Sequence, residues 1–132
     1  MSAIPRTDLT IERFEAGQLD PEQFDHEAHV YVGWLYVNAY DLAEAISRFD
    51  SALKRLTTAL GIRGKYHATI TWAFLVLIKE RCRDNEGWNA FRSSNEDLLR
   101  ESKSILGRYY SDATLFSDIA RQHFVLPDKL AS

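Results

Sequence analysis

An all-α fold is predicted for this chain of 132 residues by three observations. Apolar residues recur at three- and four-residue spacing, strand-like alternation is scarce, and the periodic segments carry recognisable helix start and stop residues. The expected architecture is a compact single-domain helical bundle covering 1–132, with three long helices from the first two thirds of the chain and several short C-terminal helices. Met1 to Asp8 read as a flexible lead-in that lacks the apolar core of a secretory signal.

Each element has its own signal. Thr10 to Ala16 suits a short helix stopped by Gly17, and Asp20-Pro21-Glu22 has the form of an N-cap followed by proline at the first helical position. Asp25 is placed to cap a longer helix running to about Asn38. The clearest periodicity spans Asp41 to Leu60, where Leu42, Ile46, Phe49, Leu53, Leu56 and Leu60 mark one face. Glu44 to Arg48 and Asp50 to Lys54 pairs at i,i+4 mark the outer face, and Gly61 supplies the stop.

After the link Gly61 to Lys65, the segment Tyr66 to about Arg83 is apolar on most of its circumference, which places it at the centre of the bundle. Beyond Asp84 the pattern shortens. Trp88 with Phe91, Leu98 with Leu99, and Ile105 to Tyr110 suggest small helices, and Ser111 is placed to cap a last one carrying Leu115, Phe116, Ile119 and Ala120. Pro127 ends regular structure.

Composition removes several function classes. The net charge is −3 without a basic run, so nucleic acid is not an expected partner. The longest apolar stretch, Trp72 to Ile78, is far short of the roughly 20 residues that cross a bilayer, so no membrane partner is expected. Cys82 is the only cysteine, which excludes an internal disulfide and fits a reducing, cytoplasmic setting. Oligomeric state is left open, a homo-oligomer included.

The chemistry-bearing residues are histidines. His26 and His29 are three apart at a helix start, so both imidazoles can face a common point while Glu27 points elsewhere. The positive end of the helix dipole keeps such rings neutral, which is the ligand form. His67 opens the other central helix, and side-by-side packing would bring three nitrogens together. Three histidines with an open fourth position describe a mononuclear site for a divalent transition metal, whether zinc, iron, copper or nickel.

There is no H-E-x-x-H, which removes the zinc-protease reading, and no E-x-x-H, which removes a di-iron bundle. Tyr66 and Thr71, close to His67, are the candidates for positioning a substrate or a metal-bound water. Gly33 leaves space beneath His29, and Trp34 and Tyr36 either wall the site or pack in the core. His123, beside Arg121 and Gln122, reads as a surface residue. Cys82 lies roughly 22 Å from His67 by helical rise and reads as a core thiol outside the cluster.

The strings Phe24-x-His26-x-x-His29-Val30 with Trp34, Tyr66-His67-x-Thr69 with Thr71, Tyr109-Tyr110-Ser111, and Phe124-Val125-x-Pro127-Asp128 carry a resemblance across most of the chain. Together they resemble a family of small uncharacterised bacterial all-helical proteins. The resemblance implies that His26, His29 and His67 belong together, and it implies no reaction. In that family an acidic residue often follows the second motif's histidine, where this chain has Ala68. If that carboxylate carries a proton there, this chain uses another group or lacks the step.

Two expectations from different classes follow. The first is a metal-dependent enzyme acting on a small-molecule substrate, with His26, His29 and His67 holding the ion. The second is a non-enzymatic binding or interaction module in which the histidines are satisfied core residues, and in which Trp34 to Tyr40 and Trp88 to Phe91 supply a contact surface.

Overall fold

The computed structural model describes residues 9–20, 22, 24–100 and 102–129, and Met1 to Asp8 and Pro21 lie outside the described residues. Among the described residues there are no strands. Helix α1 spans Ile11–Ala16, α2 His26–Ala39, α3 Leu42–Ala59 and α4 Ala68–Arg81, with a 3-10 turn at Arg63–Lys65 just before α4. Shorter helices follow as α5 Trp88–Ser94, α6 Glu96–Arg100, α7 Ser102–Leu106, α8 Asp112–Leu115 and α9 Asp118–Gln122. No helix among the described residues is long and apolar enough to cross a membrane.

The boundaries follow from capping. The side chains of Thr10, Asp25 and Asp41 accept hydrogen bonds from the backbone N–H of Arg13, Ala28 and Glu44, at 3.1, 2.9 and 2.9 Å. Each such cap satisfies a donor that the helix itself cannot, and is worth about 1 kcal/mol. Gly17 closes α1 at φ 71°, a left-handed conformation that favours glycine.

Three elements differ from the sequence reading, the first being the small helix expected over Ile105 to Tyr110, which is α7 at Ser102–Leu106. Helix α4 begins at Ala68 rather than Tyr66, because His67 is itself the N-cap: its backbone is extended and its ring accepts from the Ile70 N–H. The last expected helix is two, because Ser117 repeats the role of Ser111 and caps α9 through the Ala120 N–H at 3.2 Å.

Helices α2, α3 and α4 pack on one another, α1 lies against α2 and α3, α6 covers α2, and α7 and α9 cover α4. Short connections between α2, α3 and α4 make neighbours antiparallel. The start of α2, the end of α3 and the start of α4 therefore share one end of the bundle. Gly33 allows a close approach there: a Cβ at this position would meet Ile78 Cδ1 at 3.0 Å and Leu75 Cδ2 at 3.2 Å. Its place is explained by the α2–α4 contact.

Asp50 overturns part of the face assignment on α3. The Glu44–Arg48 and Asp50–Lys54 pairs both form, at 3.0 Å each. Asp50, however, is only 8% exposed, and its Oδ1 accepts hydrogen bonds from the Tyr66 hydroxyl and from Trp72 Nε1. The aromatic segments are likewise interior. Tyr36 and Phe91 are fully buried, and Trp88 is buried against Tyr31, Trp34 and Phe91. Tyr31, Tyr36, Trp88 and Phe91 build the core, while Trp34 and Tyr40 of the same segments are half-buried at its edge.

The C-terminal strings hold each other. Tyr110 donates its hydroxyl proton to the Val125 carbonyl at 2.7 Å, and the Asp128 carboxylate accepts from the Ser111 N–H, the Ser111 hydroxyl and the Thr114 hydroxyl. Thr69 fastens this layer to α4. Its buried Oγ1 lies 2.8 Å from the Ala120 carbonyl and 2.9 Å from the His123 carbonyl, and accepts from the Val125 N–H at 3.1 Å. The near-isosteric Thr69→Val is expected to destabilise the protein by about 2 kcal/mol, since polar groups of the C-terminal segment lose their partner. Urea unfolding would show this, and a change under about 0.5 kcal/mol, the range of neutral surface substitutions, would contradict it.

Candidate functional site

At the shared end of α2, α3 and α4 the bundle holds a cavity of about 480 Å3 that is open to solvent. Its wall is largely apolar, from Leu53, Leu56, Ile70, Phe74, Leu75 and Ile78. All five residues singled out from the sequence, His26, His29, Tyr66, His67 and Thr71, border this same cavity. Trp34 and Tyr36 do not, and both pack in the core. His123 is exposed, and Cys82 packs partly against the core with its thiol shifted upward chiefly by burial.

What the polar atoms do there separates the residues. His67 has both ring nitrogens engaged: Nδ1 accepts from the Ile70 N–H at 3.1 Å, and Nε2 lies 2.7 Å from the Leu115 carbonyl. Since a carbonyl only accepts, Nε2 carries the proton and Nδ1 the lone pair. Burial lowers this ring's proton affinity, in keeping with a neutral cap. His26 also points Nε2 at a carbonyl, that of Leu98 at 2.8 Å, and packs edge-on to Phe74. Its Nδ1 is the nitrogen left over.

His29 is different. Its ring stacks on Phe24, with centroids 4.1 Å apart, and makes no hydrogen bond among the described residues. Burial first, and the neighbouring His26 second, lower its pKa from 6.5 to about 4, against an opposing pull from Asp25. His29 keeps some accessible surface as a cavity-lining residue, yet it is a neutral imidazole throughout the ordinary pH range. Thr71 also lines the cavity, and its hydroxyl has no partner among the described residues. Among the described residues, the cavity thus offers the His29 imidazole and the Thr71 hydroxyl without hydrogen-bond partners in a largely apolar wall.

Tyr66 is committed elsewhere. Its hydroxyl donates to Asp50, and the Lys54 ammonium and the Arg63 guanidinium lie 5.3 and 5.0 Å from its ring centre. Burial, then Asp50, raise the phenol well above its ordinary range, so it keeps its proton and donates it to Asp50.

Among the described residues, no group of three or more His, Cys, Asp or Glu side chains is placed to hold a metal ion. Lys65 and the rim residues Leu60 and Ile62 also border the cavity and were not anticipated as parts of the site; the link before Tyr66 was the local hint of them. Compared with protein-family models, curated proteins and solved structures, the chain finds no match.

Proposed function

We propose that the protein binds a small, largely apolar molecule in the cavity among α2, α3 and α4. In this reading it is a helical binding module: His26 and His67 are structural residues, while His29 and Thr71 meet a polar group of the ligand. The observation that carries the reading is a cavity of about 480 Å3 whose apolar wall holds the His29 ring and the Thr71 hydroxyl, neither hydrogen-bonded among the described residues. That volume falls in the range of roughly 300–1,000 Å3 common to small-molecule sites, which pair an apolar lining with a few polar groups.

The metal-dependent enzyme has less support. A zinc, iron, copper or nickel ion would require His67 to give up either the α4 cap or the Leu115 carbonyl. His26 is better suited, because a ligand histidine commonly donates its other N–H to a backbone carbonyl, but two imidazoles leave the donor set short.

Titration with the neutral fluorophore N-phenyl-1-naphthylamine, before and after dialysis against EDTA, tests the reading. Saturable binding at one site per chain is expected, unchanged by EDTA, and weakened about tenfold or more by Thr71→Phe or by Leu56→Phe, each of which fills the cavity. Circular dichroism would show that each variant keeps its helix content. Unsaturable binding, or binding indifferent to both substitutions, overturns the proposal; binding lost with EDTA would favour the metal site instead.

A further inference from the structure

The mouth of this cavity has a chemistry of its own. Leu60, at the end of α3, and Ile62 remain 39% and 37% exposed, and both border the cavity. Lys65, in the turn before α4, borders it as well, is exposed, and makes no ion pair among the described residues. Arg63 of the same turn lies over the Tyr66 ring, and Arg121 donates to the Gly64 carbonyl, so the lip carries further positive charge. Among the described residues that border the cavity, the carboxylate is Asp25, whose Oδ1 accepts from the Ala28 N–H as the cap of α2.

An apolar interior, an apolar rim and an ammonium at the opening without a carboxylate partner among the described residues describe a site for a molecule with one charged end. A carboxylate is too costly to bury without a partner, so it would stay at the mouth while an alkyl tail fills the interior. We infer that the ligand is a single-chain carboxylate amphiphile, its tail among α2, α3 and α4 and its carboxylate beside the Lys65 ammonium. This rests on the cavity reading above and adds the sign of the head group.

Three ten-carbon probes, each used below its micelle concentration, separate the two claims by displacement of N-phenyl-1-naphthylamine from the full chain. Decanoate is expected to bind at least about fivefold tighter than decanol, the gain of one favourable partly exposed ion pair, and decyltrimethylammonium weaker than either. In Lys65→Gln the ratio of decanoate to decanol affinity should fall to near one, and in Lys65→Arg it should persist. Decanol binding as tightly as decanoate, or a ratio unchanged in Lys65→Gln, overturns the inference and leaves the cavity reading standing. Failure of all three probes to displace the bound fluorophore overturns the inference as well, while the cavity reading is decided by the fluorophore titration and its cavity-filling variants.

Discussion

Acidification from about pH 7 to about pH 4 is expected to remove up to about 3 kcal/mol of stability through His29 alone, and His29→Leu is expected to remove that part of the pH dependence. In the unfolded chain the imidazole takes up its proton near 6.5, whereas in the fold it does so only near 4. Between those values the unfolded state binds a proton that the native state refuses, so acid favours unfolding. The contribution is complete above 6.5, is lost as the pH falls toward 4, and changes no further below that. His67, whose proton affinity burial also lowers, acts with the same sign and persists in the variant. The readout is therefore the difference between the two proteins in urea midpoint, followed across this window. Because the His29 ring makes no hydrogen bond among the described residues, leucine breaks none. Equal pH slopes in the two proteins would show that the ring is hydrated and titrates normally.

The same residue illustrates what a one-dimensional reading reaches. That His26, His29, Tyr66, His67 and Thr71 share a cavity was legible, because short links force α2, α3 and α4 to alternate in direction and bring two helix starts to one end. Caps with local signals were legible too: Asp25 and Asp41 stand immediately before α2 and α3. The destinations of the ring nitrogens were not. His26 meets the Leu98 carbonyl 72 residues away and His67 meets that of Leu115 at a separation of 48, and no spacing rule encodes such pairings. Asp50 shows the opposite error. Its i,i+4 relation to Lys54 is real, but solvent exposure was inferred from charge, and the donors that make burial tolerable come from Tyr66 and Trp72. The split between α8 and α9 had a visible cue in Ser117-Asp118, the same pair of residue types as Ser111-Asp112; the apolar residues on both sides of it suggested one continuous helix.

Asp50→Ala is expected to destabilise the protein by about 3 kcal/mol, and Asp50→Asn by about 1 kcal/mol. The carboxylate is buried, and one of its oxygens receives both the Tyr66 hydroxyl and the Trp72 indole N–H. Alanine leaves the Tyr66 hydroxyl and the indole N–H without an acceptor, while asparagine keeps an oxygen where both donors point. The ion pair with Lys54 adds less, since that ammonium is 41% exposed and is rehydrated when its partner is removed. Tyr66→Phe removes the hydroxyl from the other side, so the two substitutions must not add. A double-mutant cycle by urea unfolding is expected to give a coupling of about 1 to 2 kcal/mol. Additive effects would mean that Tyr66 and Asp50 do not share this bond in solution. In that case the Tyr66 hydroxyl, which borders the cavity, would be free to serve a ligand in the way its position beside His67 first suggested.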